Sequence, residues 1–316
     1  MRKSFDLLWG SDVKRKSKIK TKKSAADMAF DSVNLIFLGL FAIACIYPFY
    51  YILINSVSNN KLVELGKIVL LPKGIHFNNF SDVLKIQGLN HAVFISVART
   101  VVGTCISILS CTVLGYAMTR QELWHRKFWY RFMIVTMYFG AGLIPGYLNI
   151  KRLGLMNTFG VYVVPCLIGP YNMILVKTYI ESIPQSLEES ALMDGAGYLT
   201  RLMRIIVPLS KPILATIVLF SVVGQWNAYM DTVLYTSGTR LQTLQSILYQ
   251  YLNSSRQLAE MITKSGMVSE QMLMQSANLQ SARHTMTMVT IIPILMVYPF
   301  IQRYYVKGVM IGAVKG

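Results

Sequence analysis

Apolar residues gather into six long runs, at 33–54, 92–118, 132–150, 158–176, 212–236 and 285–302, separated by polar connections. Each run is 18 to 27 residues long, enough to cross a hydrocarbon layer of ~30 Å as a helix rising ~1.5 Å per residue. The pattern therefore predicts an all-α integral membrane protein with six transmembrane helices. A basic segment at 1–32 precedes a transmembrane domain at 33–302, and a short tail at 303–316 follows it.

Two connections carry helical signals of their own. In 182–208, Ser186 with Glu189 three residues on reads as a capping box, and Gly195 and Gly197 can end that helix in a left-handed turn. A second short helix should then bury Tyr198, Leu199, Leu202, Met203 and Ile206, turn Arg201 and Arg204 outward, and stop near Pro208. In 237–284, Leu241, Leu244, Ile247, Leu248, Tyr251 and Leu252 form one apolar stripe at helical spacing. That stripe predicts a helix lying on the outer face.

Composition agrees with this reading. Of 316 residues, 53% are hydrophobic and 14% charged, against ~25% charged in globular domains. That balance excludes most soluble enzymes, which need a charged surface, and a disordered polyelectrolyte, which needs low hydrophobicity. The six runs hold two formal charges, Arg99 and Asp231. With the N-terminus inside, the inner segments hold 20 Lys/Arg in 94 residues and the outer segments 10 in 92. A twofold bias at equal length places both termini in the cytoplasm. The net charge of +17 is then mainly an orientation signal, so no nucleic-acid partner is expected. The nine Lys/Arg before residue 24 precede an apolar run too long for a cleavable signal, and no small-residue cleavage site follows it.

Candidate chemistry is sparse. Cys45, Cys105, Cys111 and Cys166 all fall within apolar runs, and His76, His91, His125 and His284 are scattered with no metal-ligand spacing. Gly66–Lys67 is followed by Ile68, so no phosphate-binding loop is formed, and any ATP must be bound by another chain. No catalytic residue and no metal site is expected, which disfavours a membrane-embedded enzyme. Pro48, Gly140, Gly142, Pro145, Pro165, Pro170, Pro293 and Pro299 fall inside or across the runs. Broken backbone at membrane depth suits protein-lined or water-filled surroundings, as on a transport path.

The connection at 182–208 reads Glu189-Ser-Ala-x-x-Asp194-Gly195-Ala196, then Ile205-x-Val207-Pro208. This resembles the coupling loop of permease subunits of ATP-binding-cassette importers, with Ser190 in place of the commoner second alanine of Glu-Ala-Ala. The stretches 139–145 and 153–158, Trp226-Asn227 and the tail 298–316 are similar to the carbohydrate-importer branch serving oligosaccharides or polysaccharide fragments. The resemblance implies a type I importer-like fold in a bacterial cell (inner) membrane. It also implies a second permease, two ATPase subunits holding ATP and magnesium, an external solute-binding protein and a saccharide substrate. Glu188, Glu189, Asp194, Gly195, Ala196, Ile205 and Pro208 would then meet the ATPase, and this chain would bind no cofactor. An amino-acid or peptide importer is the rival reading.

Polar groups within the fifth run mark a candidate pathway. Trp226 and Tyr229 could stack on a sugar face while Gln225, Asn227 and Asp231 bond hydroxyls; the alternative is an aromatic interface anchor with interhelical hydrogen bonds. Arg99 and Asp231 lie ~10 and ~8 Å from the same face at helical rise. Pairing would offset the cost of burying each. The alternatives are an Arg99 that snorkels to headgroups, or a charge that meets a partner permease.

Overall fold

The computed structural model describes residues 24–265 and 270–313, and all regular structure among them is helical. The chain divides into two compact units, residues 1–50 and 51–316. The described part of the first is most of α1 (Ala25–Val57), whose start is fixed by Asp27 accepting from the Ser24 backbone N–H. Residues 1–23 of the basic 1–32 segment, which hold all of its Lys/Arg, lie outside the described residues. In the second unit, the last turns of α1 bury Ile54, Asn55 and Ser56, and two short helices follow, α2 (Asn60–Glu64) and α3 (Asn78–Leu84).

The second run is one continuous helix, α4 (Leu89–Thr119). The third is broken into α5 (Arg126–Tyr138) and α6 (Leu143–Arg152), parted at 139–142, where Gly142 takes φ +85°. The fourth is α7 (Gly160–Val163), a 3-10 turn at Val164–Cys166 and α8 (Pro170–Glu181), bent by 44°. The connection at 182–208 forms α9 (Ser186–Met193), α10 (Tyr198–Arg201), a π turn at Leu202–Ile206 and α11 (Val207–Leu209). The chain then turns by 80° into α12 (Lys211–Asn227), and α13 (Met230–Tyr235) follows after a two-residue break. The expected outer helix is α14 (Leu244–Ser265), and α15 (Glu270–Ala313) contains the sixth run.

Among the described residues, α1 and α4 alone are long and apolar enough to cross a membrane, and α7–α8 and α10–α12 qualify as bent pairs. Breaks do not follow every proline. Pro48, Pro293 and Pro299 sit inside continuous helices, contrary to the expectation from sequence. Pro165 and Pro170 lie at the first positions of their helices, where no N–H is needed.

α4 is the element against which much of the second unit packs. Its buried face is built from small residues: Ala92, Ser96, Thr100, Gly103, Ser107, Cys111 and Gly115. Inside a membrane, apolar burial from water cannot drive helix association, so close van der Waals approach over small side chains does. A Cβ at Gly115 would lie 2.9 Å from Val176 Cγ1 and 3.2 Å from the Lys177 backbone nitrogen. Cys111, Tyr116, Met173, Val176, Ile206 and Ile217 unite α4, α8, the π turn and α12 in one core. Val83, Leu89, Trp226, Leu244, Ile247 and Met286 form a second near the other end of α4.

Gly115→Ala should therefore lower the thermal midpoint of the purified protein, with an overpacking cost of ~1–3 kcal/mol. Gly224→Ala, where nothing lies within 4 Å of the new methyl, should leave it unchanged or raise it slightly. Equal behaviour of the two variants would refute the close α4–α8 approach.

Candidate functional site

The break in the fifth run has a definite chemical cause. Ala228 leaves the helical region (φ −72°, ψ 125°), so the α12 hydrogen-bond ladder stops there. The Ala228 carbonyl is taken up by Arg99 of α4, whose Nη1 donates to it at 3.1 Å. Arg99 is 2% exposed. Its remaining N–H groups go to Asp231 Oδ1 at 3.1 Å and Oδ2 at 2.5 Å, and to Gln225 Oε1 at 3.2 and 3.1 Å.

A guanidinium has five N–H donors. Here each has an acceptor, and Cζ also lies 4.3 Å from the Tyr162 ring centroid. Tyr162 donates to the Leu241 carbonyl at 2.6 Å and lies 3.1 Å from Thr232 Oγ1, which ties α7 to α13 and to the approach of α14. The expected Arg99–Asp231 pair is formed, so Arg99 does not snorkel. Tyr162 carried no sequence signal, being one aromatic in an uncharged apolar run.

The other residues of the fifth run point elsewhere. Trp226 is buried, with its Nε1 donating to the Thr290 carbonyl at 3.1 Å. It is a packing residue between α12 and α15, and its N–H is already used. Asn227 is exposed and accepts from Gln245 Nε2 at 3.1 Å, while the Tyr229 ring stacks on Tyr249 at 4.7 Å. The pathway candidates thus divide: Gln225 and Asp231 hold Arg99, Trp226 packs, and Asn227 and Tyr229 form an accessible aromatic–amide surface with α14. Gln245 and Tyr249 were hidden by the apolar stripe of the outer helix, although their i, i+4 spacing puts them on one face.

At the Thr119 end of α4 lies the motif-bearing connection. α9 starts without the expected capping box: Gln185 is the N-cap and makes no side-chain cap, while Ser190 Oγ turns back to the Ser186 carbonyl. Its end is as expected at Gly195 but not at Gly197, which is extended (φ −69°, ψ 169°) and serves as the N-cap of α10. Gly195 (φ +79°) donates to the Leu192 carbonyl at 3.0 Å and Ala196 to Ala191 at 2.9 Å, the double closure of a left-handed helix end.

The second helix is rotated from expectation. Leu202 and Ile206 are buried, but so is Arg201, over the Tyr198 ring at 4.6 Å, whereas Tyr198, Leu199 and Met203 are exposed. The π turn at 202–206 inserts extra residues per turn and so shifts the 3.6-residue register on which the expectation rested. The segment does stop near Pro208, as expected: Pro208 sits in α11, which ends at Leu209 before the 80° turn into α12.

Of the motif residues, Glu189, Asp194, Gly195 and Pro208 are exposed, and Ala196 and Ile205 are half-buried. Glu188 is buried and faces inward to Arg120, at the end of α4. Leu187, Leu192, Met193, Leu199 and Met203 leave an apolar surface uncovered.

Comparison with known proteins places this architecture. The family model described as binding-protein-dependent transport system inner membrane component matches residues 20–311. The polygalacturonan/rhamnogalacturonan transport system permease protein YtcP of Bacillus subtilis is 33% identical over 290 residues, covering 91% of this chain and 98% of that one. Protein LplC of the same organism is 31% identical over 92% of this chain and 96% of its own length. A chain from the crystal structure of a bacterial ABC transporter involved in import of the acidic polysaccharide alginate superposes with a TM-score of 0.79 at 30% identity. That match covers 90% of this chain and 99% of that one.

Arg99→Asp or Asp231→Arg alone should cripple uptake and destabilise the protein, because breaking a buried pair costs ~3–5 kcal/mol. The exchanged pair should recover part of both, measured as uptake in vesicles and thermal midpoint. A double variant no better than the worse single one would argue against the pair.

Proposed function

Because the chain belongs to the family of binding-protein-dependent transport system inner membrane components, we propose that its folded helices carry a saccharide across a membrane for a separate ATPase. The chain is the permease subunit of an ATP-binding-cassette importer of oligosaccharides or polysaccharide fragments, a transport subunit and not an enzyme. It sits in a bacterial inner membrane as six spans, with 1–32, 182–208 and 303–316 on the cytoplasmic side. The basic bias of those segments supports that orientation.

The observation that carries the coupling role is the helix pair α9–α10. It lies between spans, ends its first helix in a fixed left-handed turn at Gly195, and exposes Glu189 and Asp194 beside an apolar surface. Such a knob fits a groove on an ATPase. ATP and magnesium belong to two copies of that partner, and this chain holds no cofactor. A second permease completes the path, and a solute-binding protein delivers the sugar at the opposite face.

The substrate class rests on the relatives. YtcP is named for polygalacturonan and rhamnogalacturonan, and the structural relative serves alginate import. Acidic polysaccharide fragments are therefore the first probes, ahead of amino acids or peptides. On the pathway side, Asn227 and Tyr229, with Gln245 and Tyr249, offer ring faces and amides suited to sugar CH groups and hydroxyls. Gln225, Asp231 and Arg99 shape the path from behind, and Trp226 supports it by packing.

The decisive variant is Gly195→Pro. Proline holds φ near roughly −65° and cannot adopt the +79° found there. Membrane insertion should persist, while co-purification of the ATPase and uptake of oligogalacturonides should fall to background. Normal ATPase recruitment and uptake by this variant would sink the coupling assignment.

A further inference from the structure

α4 differs from the broken runs around it: it is helical without interruption from Leu89 to Thr119 and has no internal proline. It carries a buried arginine near one end, and Arg120 follows its last residue. The two lie 21 positions apart, or ~31 Å at helical rise. Each is bonded to an acid on another element: Arg99 to Asp231 at the break of the fifth run, and Arg120 to Glu188 of α9.

The two ends are built differently. Arg99 has an acceptor for every N–H and is 2% exposed. The Arg120 end is only partly satisfied. Arg120 Cζ stacks 4.5 Å from the Tyr116 ring, and its Nε and Nη2 fall back on Thr119 Oγ1 at 3.1 and 2.9 Å. The second Glu188 oxygen, the Tyr116 hydroxyl and Arg201 Nε are buried without a partner within the chain. A polar cavity of about 220 Å³, lined among others by Arg120, Arg126, Glu181 and Glu188, opens at the ion pair itself. A half-satisfied buried cluster beside open polar volume can re-pair at little cost, whereas a fully bonded one cannot.

We propose that the Arg120–Glu188 pair is an adjustable joint that makes α4 follow α9, so that Arg120 is a positioning residue linking the ATPase-facing loop to the Arg99–Asp231 clamp ~31 Å away. The surrounding core serves the same end. Tyr116, Val176, Leu202, Ile206 and Ile217 pack α4, α8, the π turn and α12 together, so a displaced α9 cannot move past α4 without moving it. Arg201, the last residue of α10, is also buried on this side of the loop and keeps an Nε–H without a partner within the chain.

This inference rests on the reading of 182–208 as the ATPase-coupling loop, and the test separates the two. The complete transporter, with partner permease, ATPase chains and binding protein, is reconstituted in nanodiscs. ATPase rate is measured with and without binding protein saturated with oligogalacturonides. If ATPase chains do not co-purify with the wild type, the coupling-loop reading fails.

Given a wild type that assembles, Arg120→Ala and Glu188→Ala should keep the ATPase chains bound, but the stimulation ratio should fall by about fivefold or more, the range of ordinary coupling energies. Arg120→Glu with Glu188→Arg should restore part of the ratio. Glu188→Gln, which keeps shape and one hydrogen bond, should give an intermediate ratio. Wild-type ratios in the alanine variants, loss of the ATPase chains from them, or a swap no better than the worse single variant would each overturn the joint.

Discussion

A buried guanidinium constrains this fold more than any other group. Arg99 sits toward the N-terminal end of a helix that otherwise buries mostly small and apolar residues, and leaving its charge without acceptors at membrane depth would cost several kcal/mol. An intact α-helix opposite could supply only side chains, since its carbonyls are engaged. The break at Ala228 releases one carbonyl and reorients Asp231, so that the fifth run provides three acceptor groups: Gln225, Ala228 and Asp231. Break and cation thus account for each other. The same break turns Asn227 and Tyr229 to the opposite side, where α14 meets them.

The packing of α4 follows from that arrangement. Gln225 can reach Arg99 because Gly103 leaves room, an added Cβ there falling 2.5 Å from Gln225 Nε2. Gly115 does the same for α8 one core further along. With the helix held by close approach at its middle and by ion pairs toward its ends, its freedom is that of a rod rather than of a chain of hinges. The bends lie in its neighbours, at 139–142, at the 164–169 turn, at the 80° corner before α12 and at Ala228.

What could be read from sequence was what depends on length, charge and short-range geometry. The apolar runs located the helices, two lone charges at matched depth foretold the Arg99–Asp231 pair, and Gly195 announced its turn. What failed depended on register or on competition between partners. Arg201 and Arg204 looked equivalent under a 3.6-residue period, yet Arg201, at the end of α10, is buried and Arg204, inside the π turn, is exposed. Glu188 and Glu189 are adjacent acids of one motif, and only the position of Arg120 decides that Glu188 turns inward. Trp226 looked like a sugar platform because its neighbours are polar, but the Thr290 carbonyl claims its N–H. Pro293 and Pro299 marked breaks that a long helix absorbs.

Exposed apolar residues carry different meanings in different parts of this chain. Those on α4, such as Phe94, Val101 and Leu109, belong to a helix of spanning length, where lipid is as good a neighbour as protein and exposure calls for no explanation. Met193 at 88% and Leu199 at 69% exposure stand instead in a connection that also exposes Glu189, Asp194 and Arg204. A segment with that many charges does not lie in hydrocarbon, and in water its apolar groups would stay uncovered at a cost of ~25 cal/mol per Å². The proposed coupling role answers this cost, since an ATPase groove apolar at its centre and able to meet two carboxylates at its edge would cover them. Glu188 is withheld from that surface, being buried against Arg120, so the same short helix presents one acid outward, Glu189, and turns its neighbour toward the end of α4.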